Sequence, residues 1–134
     1  MTKVIILGHG GYGSAMKRNL AMLIGEMEDY YYIDFNEQDD LSILQGKIGE
    51  ALSKAEGCDV LFCCDVAGGS PFREAASICA EHPNYCCVAG VNTSAYTELS
   101  FNLELTASEL ADMAIEVAKA TMLRFPEAEL NHGL

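Results

Sequence analysis

Four short apolar runs punctuate the chain, and each is followed by a stretch whose apolar residues recur at helical spacing. The first run is Lys3–Leu7, ending at Gly8. After it, Met16, Leu20, Leu23 and Ile24 fall on one helix face, with Gly25 as the stop. Tyr30–Phe35 reads as the second strand. Leu41, Leu44, Ile48, Leu52 and Ala55 mark the second helix, weakened by Gly46 and Gly49. Val60–Cys64 and Tyr85–Val91 show little alternation, as expected of strands covered on both faces. Between them Ser70-Pro71 opens a helix to about Glu81, with Ser suited to the cap and Pro to the first helical position. Ser94–Leu103 reads as helical. Thr106-Ala-Ser-Glu109 is a capping-box pattern ahead of a last helix through Leu110, Met113, Ala114, Val117 and Thr121. The tail from Pro126 to Leu134 reads as frayed.

Strands alternating with helices predict an α/β fold, an open and mainly parallel sheet with helices on both faces. Right-handed crossovers leave few topologies, and the flavodoxin-like order 2-1-3-4 is the natural one. A length of 134 residues suits one domain, taken as 1–134. No apolar run approaches the ~18 residues of a membrane span, and the start is not a signal peptide. The net charge of −12 disfavours nucleic acid and anionic membrane surfaces, because no basic stripe is present. The acidic balance favours long-range attraction of basic partners.

The six cysteines include the adjacent pairs Cys63-Cys64 and Cys86-Cys87 inside apolar runs. Neighbours on a strand point to opposite faces, and no zinc spacing occurs. They read as small buried hydrophobes of a reduced, cytoplasmic protein.

In such a sheet ligands sit beyond the C-terminal strand ends, at the switch point between strands 1 and 3. Two loops meet there. The first, Gly8-His9-Gly10-Gly11-Tyr12-Gly13, has the G-x-G-x-x-G spacing between a strand and a helix, and Asp34 follows about 20 residues on. A nucleotide-binding module for NAD or FMN is therefore one reading. Against it stand the little room for a substrate domain, a second glycine-rich loop, and His9 in the tight turn. The second loop, Asp65-Val66-Ala67-Gly68-Gly69-Ser70-Pro71-Phe72, offers backbone N–H groups and a helix dipole to an anion. Strand order puts Asp65 beside His9. A carboxylate on one imidazole nitrogen fixes the tautomer and leaves the other as nucleophile. Histidine nucleophile, orienting carboxylate and anion cradle together fit phosphoryl transfer.

At these residues the chain resembles the IIA component of the mannose-class bacterial sugar phosphotransferase system over nearly its whole length. The resemblance is carried by Gly8-His9-Gly10, Tyr32-Ile33-Asp34-Phe35, Leu61-Phe62, Asp65, Gly68-Gly69-Ser70-Pro71-Phe72 and Ala89-Gly90-Val91-Asn92. It implies a cytoplasmic phosphocarrier without a cofactor or metal. His9 would take a phosphoryl group from the carrier protein HPr and pass it to a IIB component. Membrane components IIC and IID would then deliver the sugar. Asp65 would orient His9, and Gly10, Gly68, Gly69 and Ser70 would contact the phosphate.

The resemblance also implies a homodimer with an additional antiparallel strand exchanged between subunits, for which the segment after Val117 is the candidate. Val66 and Ala67 depart from the family's frequent Thr and Trp, at a rim where partner choice is set. No linker to a fused IIB domain is visible before Leu134, as in systems of separate polypeptides, including those for amino sugars such as N-acetylgalactosamine. A regulatory domain phosphorylated on the same histidine is a further alternative.

His82 before Pro83 reads as a helix-end residue, and His132 as a solvated tail residue. Asn92 near the site is a candidate partner contact, and Tyr12 a rim or loop-packing aromatic.

Overall fold

The computed structural model describes residues 1–128. The elements are β1 (Thr2–His9), α1 (Tyr12–Ile24), β2 (Tyr30–Phe35), α2 (Leu41–Lys54), β3 (Asp59–Cys64), α3 (Ser70–Glu81), β4 (Tyr85–Ala89), α4 (Thr93–Leu99) and α5 (Ala107–Thr121). The four strands form one sheet of order β2-β1-β3-β4. Every pairing is parallel, with Ile5 opposite Phe62 and Leu7 opposite Cys64.

The two central strands carry the core. Val4–Leu7 and Val60–Cys64 are completely buried, because successive side chains feed opposite faces and both faces are covered. Val4, Ile6, Leu61 and Cys63 pack beneath α1, α4 and α5 with Leu20, Tyr96 and Leu110. Ile5, Leu7, Phe62 and Cys64 pack beneath α2 and α3 with Leu44, Ile48 and Ala75. Cys63 and Cys64 thus belong to different half-cores, and all six cysteines are free thiols.

Several boundaries differ from the sequence reading for local reasons. β1 runs on to His9 because parallel pairing continues to His9 opposite Phe35. β4 stops at Ala89. α4 starts at Thr93, capped by the Asn92 side chain accepting from the Ala95 N–H at 3.0 Å, and ends at Leu99. The cap of α3 is Gly69, and Ser70 is already helical, so Pro71 falls one place later than expected. The Thr106–Glu109 capping box is present in full, and the Asp59 carboxylate also accepts from the Ala107 N–H at 3.2 Å.

The described residues contain no fifth strand. The segment after Val117 continues α5 to Thr121, with Ala118 still buried against the core, and 122–128 holds no helix or strand. Residues 129–134, including His132 and most of the tail read as frayed, lie outside the described residues. No described helix is long and apolar enough to cross a membrane.

Phe62→Ala is expected to lower the unfolding free energy by roughly 3–5 kcal/mol through the cavity it leaves. Thr106→Ala should cost about 1 kcal/mol through the lost cap. Urea unfolding checks both, as shifted midpoints with an unchanged slope.

Candidate functional site

Parallel pairing of β1 with β3 brings their C-terminal ends out side by side. His9 is the last residue of β1, and Asp65 is the first residue beyond β3, its N–H donating to the Leu7 carbonyl at 3.2 Å. One Asp65 oxygen, Oδ2, meets both the His9 backbone N–H and the His9 Nδ1, each at 2.9 Å. The other, Oδ1, accepts from the Val66 N–H at 2.9 Å. A carboxylate can only accept, so Nδ1 must be the donor, which leaves Nε2 with the lone pair in the neutral ring. The Asp65 side chain is 16% exposed and that of His9 46%, so the carboxylate is sheltered while the ring reaches solvent.

Burial pushes the Asp65 carboxyl up, but the donors from the His9 N–H, the His9 ring and the Val66 N–H outweigh it. The net result lies below the ordinary carboxylate value.

Nε2 lies against the second loop. A Cβ built on Gly69 would sit 2.9 Å from Nε2 and 2.7 Å from Cε1 of His9. Gly69 also has φ 144°, which an L side chain rarely adopts. Only glycine lets the start of α3 approach the ring this closely. The first N–H groups of α3, beginning at Ser70, have no intrahelical acceptor, and the helix dipole adds partial positive charge there. His9, Asp65, Gly68, Gly69 and Ser70 are therefore brought to one end of the sheet. Gly10 differs: its N–H donates to the Phe35 carbonyl at 2.8 Å and is not free for a phosphate. Phe35 carries no site signal in the sequence, yet its ring meets His9 edge-on with centroids 6.0 Å apart. Only the β1–β2 register reveals that contact.

The glycine fingerprint has an internal explanation. The Asp34 carboxylate accepts from the Ser14 N–H at 2.9 Å and from the Ser14 hydroxyl, so it caps α1 from β2. A Cβ on Gly13 would lie 2.6 Å from the Ile33 carbonyl oxygen, so this glycine allows α1 to pack on β2. Spacing and acidic residue alike are thereby accounted for by helix–strand packing, against the nucleotide expectation. A groove of about 620 Å³ along the outer side of β2 is lined by Ser14, Lys17, Asp34 and Lys47 but not by His9 or Asp65.

Other residues singled out by sequence have structural roles. His82 Nδ1 meets the Ile78 carbonyl at 2.9 Å, and its ring stacks on Tyr85. Asn92 caps α4 and also reaches the Thr121 hydroxyl at 3.0 Å, so its side chain is engaged within the fold. Tyr12 packs into the loop, its hydroxyl bonded to that of Tyr96. Among the described residues no group of three or more His, Cys, Asp or Glu is placed to hold a metal.

Residues 3–113 match the family EIIA-man, described as PTS system fructose IIA component. The chain is 36% identical over 112 residues to the PTS system fructose-specific EIIA component of Bacillus subtilis (strain 168), which covers 82% of this chain and 77% of that protein. It is 32% identical over 123 residues to the PTS system mannose-specific EIIAB component of Escherichia coli (strain K12). That match covers 89% of this chain and 38% of the longer protein. The mannose/sorbose specific IIA subunit of the phosphotransferase system from Enterococcus faecalis superposes with a TM-score of 0.85 at 25% identity, covering 97% of this chain and 98% of that one.

The Asp65 carboxyl should titrate below the reference value of about 3.9. Its hydrogen bonds therefore contribute stability at neutral pH, and that contribution is lost only as pH falls through the lowered value. Carboxyl-carbon NMR across an acid titration checks this, and His9→Ala should move the midpoint upward.

Proposed function

The chain belongs to the EIIA-man family of sugar phosphotransferase-system components, and from that premise we propose that His9 is its phosphoryl acceptor and Asp65 the group that orients it. The observation that carries this reading is the hydrogen bond from Nδ1 to Asp65, with Nε2 left against Gly69. Components of this family act as phosphotransferases in sugar uptake.

In the proposed step the donor is a phosphohistidine on HPr. The Nε2 lone pair of His9 attacks phosphorus in line, the new N–P bond forms, and the N–P bond to the HPr imidazole breaks with its electron pair leaving on that ring. Positive charge grows on the His9 ring as the bond forms. Asp65, ionised and hydrogen-bonded to Nδ1–H, stabilises that charge and keeps the ring in plane. The N–H groups at the start of α3 and the Ser70 hydroxyl receive the phosphoryl oxygens. Catalysis is then positioning and charge stabilisation, as phosphoryl transfer generally requires. Passage to a IIB component reverses the geometry, with Nε2 as leaving group.

The half-exposed ring suits this chemistry, because both donor and acceptor are proteins and must reach the same atom in turn. A cytoplasmic location, a homodimer and an indirect connection to the membrane through IIC and IID go with the reading.

Incubation with phosphoenolpyruvate, enzyme I and HPr should add one acid-labile phosphoryl group, mapped to His9 and absent in His9→Ala. Asp65→Ala should slow the transfer on the order of 100-fold, the scale of an ångström-level misplacement. Onward transfer to IIB, followed as loss of the label, separates a carrier from a domain phosphorylated only for regulation. A protein that takes no label from competent partners overturns the assignment.

A further inference from the structure

Tyr12 and Tyr96 form a pair that the proposed transfer step does not use. Tyr96 is fully buried on α4. Its hydroxyl is bonded to that of Tyr12, and its backbone carbonyl accepts from the Tyr30 hydroxyl on β2. Tyr96 is thus tied to two elements that do not touch its own helix in sequence. Tyr12 is the first residue of α1, three places after His9, and is half-buried.

The position of the Tyr12 ring gives the pair its meaning. A Cβ on Gly8 would lie 2.7 Å from Cδ2 of Tyr12 and 2.7 Å from Cγ of Asp65. Ring and carboxylate therefore share the space beside Gly8, the residue that immediately precedes His9. Among the described residues, the Asp65 carboxylate takes its hydrogen bonds from His9 and Val66. These donors hold both carboxylate oxygens, while Gly8 itself puts no side chain against the carboxylate carbon. The Tyr12 ring fills that space.

We propose that Tyr12 is a positioning residue for the His9–Asp65 pair, held in place by the buried hydroxyl of Tyr96. The inference rests on the reading of His9 as phosphoryl acceptor for its kinetic consequence, though not for its structural one. The Tyr96 end of the pair is anchored in the core on α4, so an interior contact acts on the loop beside its exposed hydrogen bonds to Asp65 and Asp34.

The test uses Tyr12→Phe, Tyr96→Phe and the double variant, each in the wild-type and the Asp65→Ala background. All are conservative in volume, and urea unfolding verifies that they fold. Nitrogen-15 NMR of the His9 ring reads the fraction of Nδ1–H tautomer with no partner protein present. Single-turnover transfer from phospho-HPr reads the rate.

Each single variant should lower the Nδ1–H fraction and slow transfer by about 3- to 10-fold, the range of coupling between neighbouring groups. The loss should fall on kcat with KM for phospho-HPr unchanged. The double variant should be no slower than either single one, and in the Asp65→Ala background neither substitution should slow transfer further. An unchanged tautomer with unchanged rates overturns the proposal. So does an equal slowing in the Asp65→Ala background, which marks a general loosening of the fold. If wild-type protein takes no phosphoryl group, the proposed function fails, while the tautomer measurement still decides whether Tyr12 and Tyr96 position the pair.

Discussion

Parallel pairing of β1 with β3 is the constraint on which the site depends. Both strands are buried on both faces, so a slip in their register would expose apolar side chains to solvent or thrust them into backbone. Leu7 is consequently locked opposite Cys64. With that register set, the chain leaves the sheet at His9 on one strand and at Asp65 on its neighbour, within hydrogen-bond reach. The cost of disturbing the core is what keeps a half-exposed imidazole oriented. Within that frame the hydrogen bonds from His9 and Val66 to the Asp65 carboxylate orient the ring.

The anion cradle proposed at the start of α3 has a related logic. The chain carries a net charge of −12, and the oxygens of a phosphoryl group would add to it. Backbone N–H groups at the start of α3 supply partial positive charge, equivalent to about half an elementary charge at a helix N-terminus. A lysine or arginine would bind the phosphorylated state more tightly, yet a carrier must also give its cargo away. Uniformly tight binding of one state does not speed either transfer. Glycine at 69 makes the close approach possible by removing the side chain that would collide with His9.

Much of this was legible in the chain. The alternation of apolar runs with helical periodicity indicated the sheet order, and the capping box at Thr106 marked the start of α5. His9 and Asp65 are paired by topology, which places the ends of adjacent parallel strands together. Gly10, Asp34 and Asn92 were less readable. Their types and positions suit ligand contacts, but each is engaged by a partner far along the chain or across a turn. Gly10 donates to Phe35, Asp34 caps α1 through Ser14, and Asn92 joins α4 to Thr121. Spacing cannot distinguish a residue that awaits a ligand from one that is satisfied within the fold.

The sequence by itself determined which segments alternate, which strands are buried and which residue types stand at the strand ends. These follow from hydrophobic periodicity, which is local and repeats along the chain. The tertiary structure alone decided how those side chains are engaged. It turned Nδ1 toward Asp65 and Nε2 toward Gly69, gave the cap of α3 to Gly69, and joined Tyr12 to Tyr96 across α1 and α4. Such contacts depend on packing distances between elements remote in sequence. They are settled by the sum of many small contacts in the core, and no single segment of the chain carries that sum.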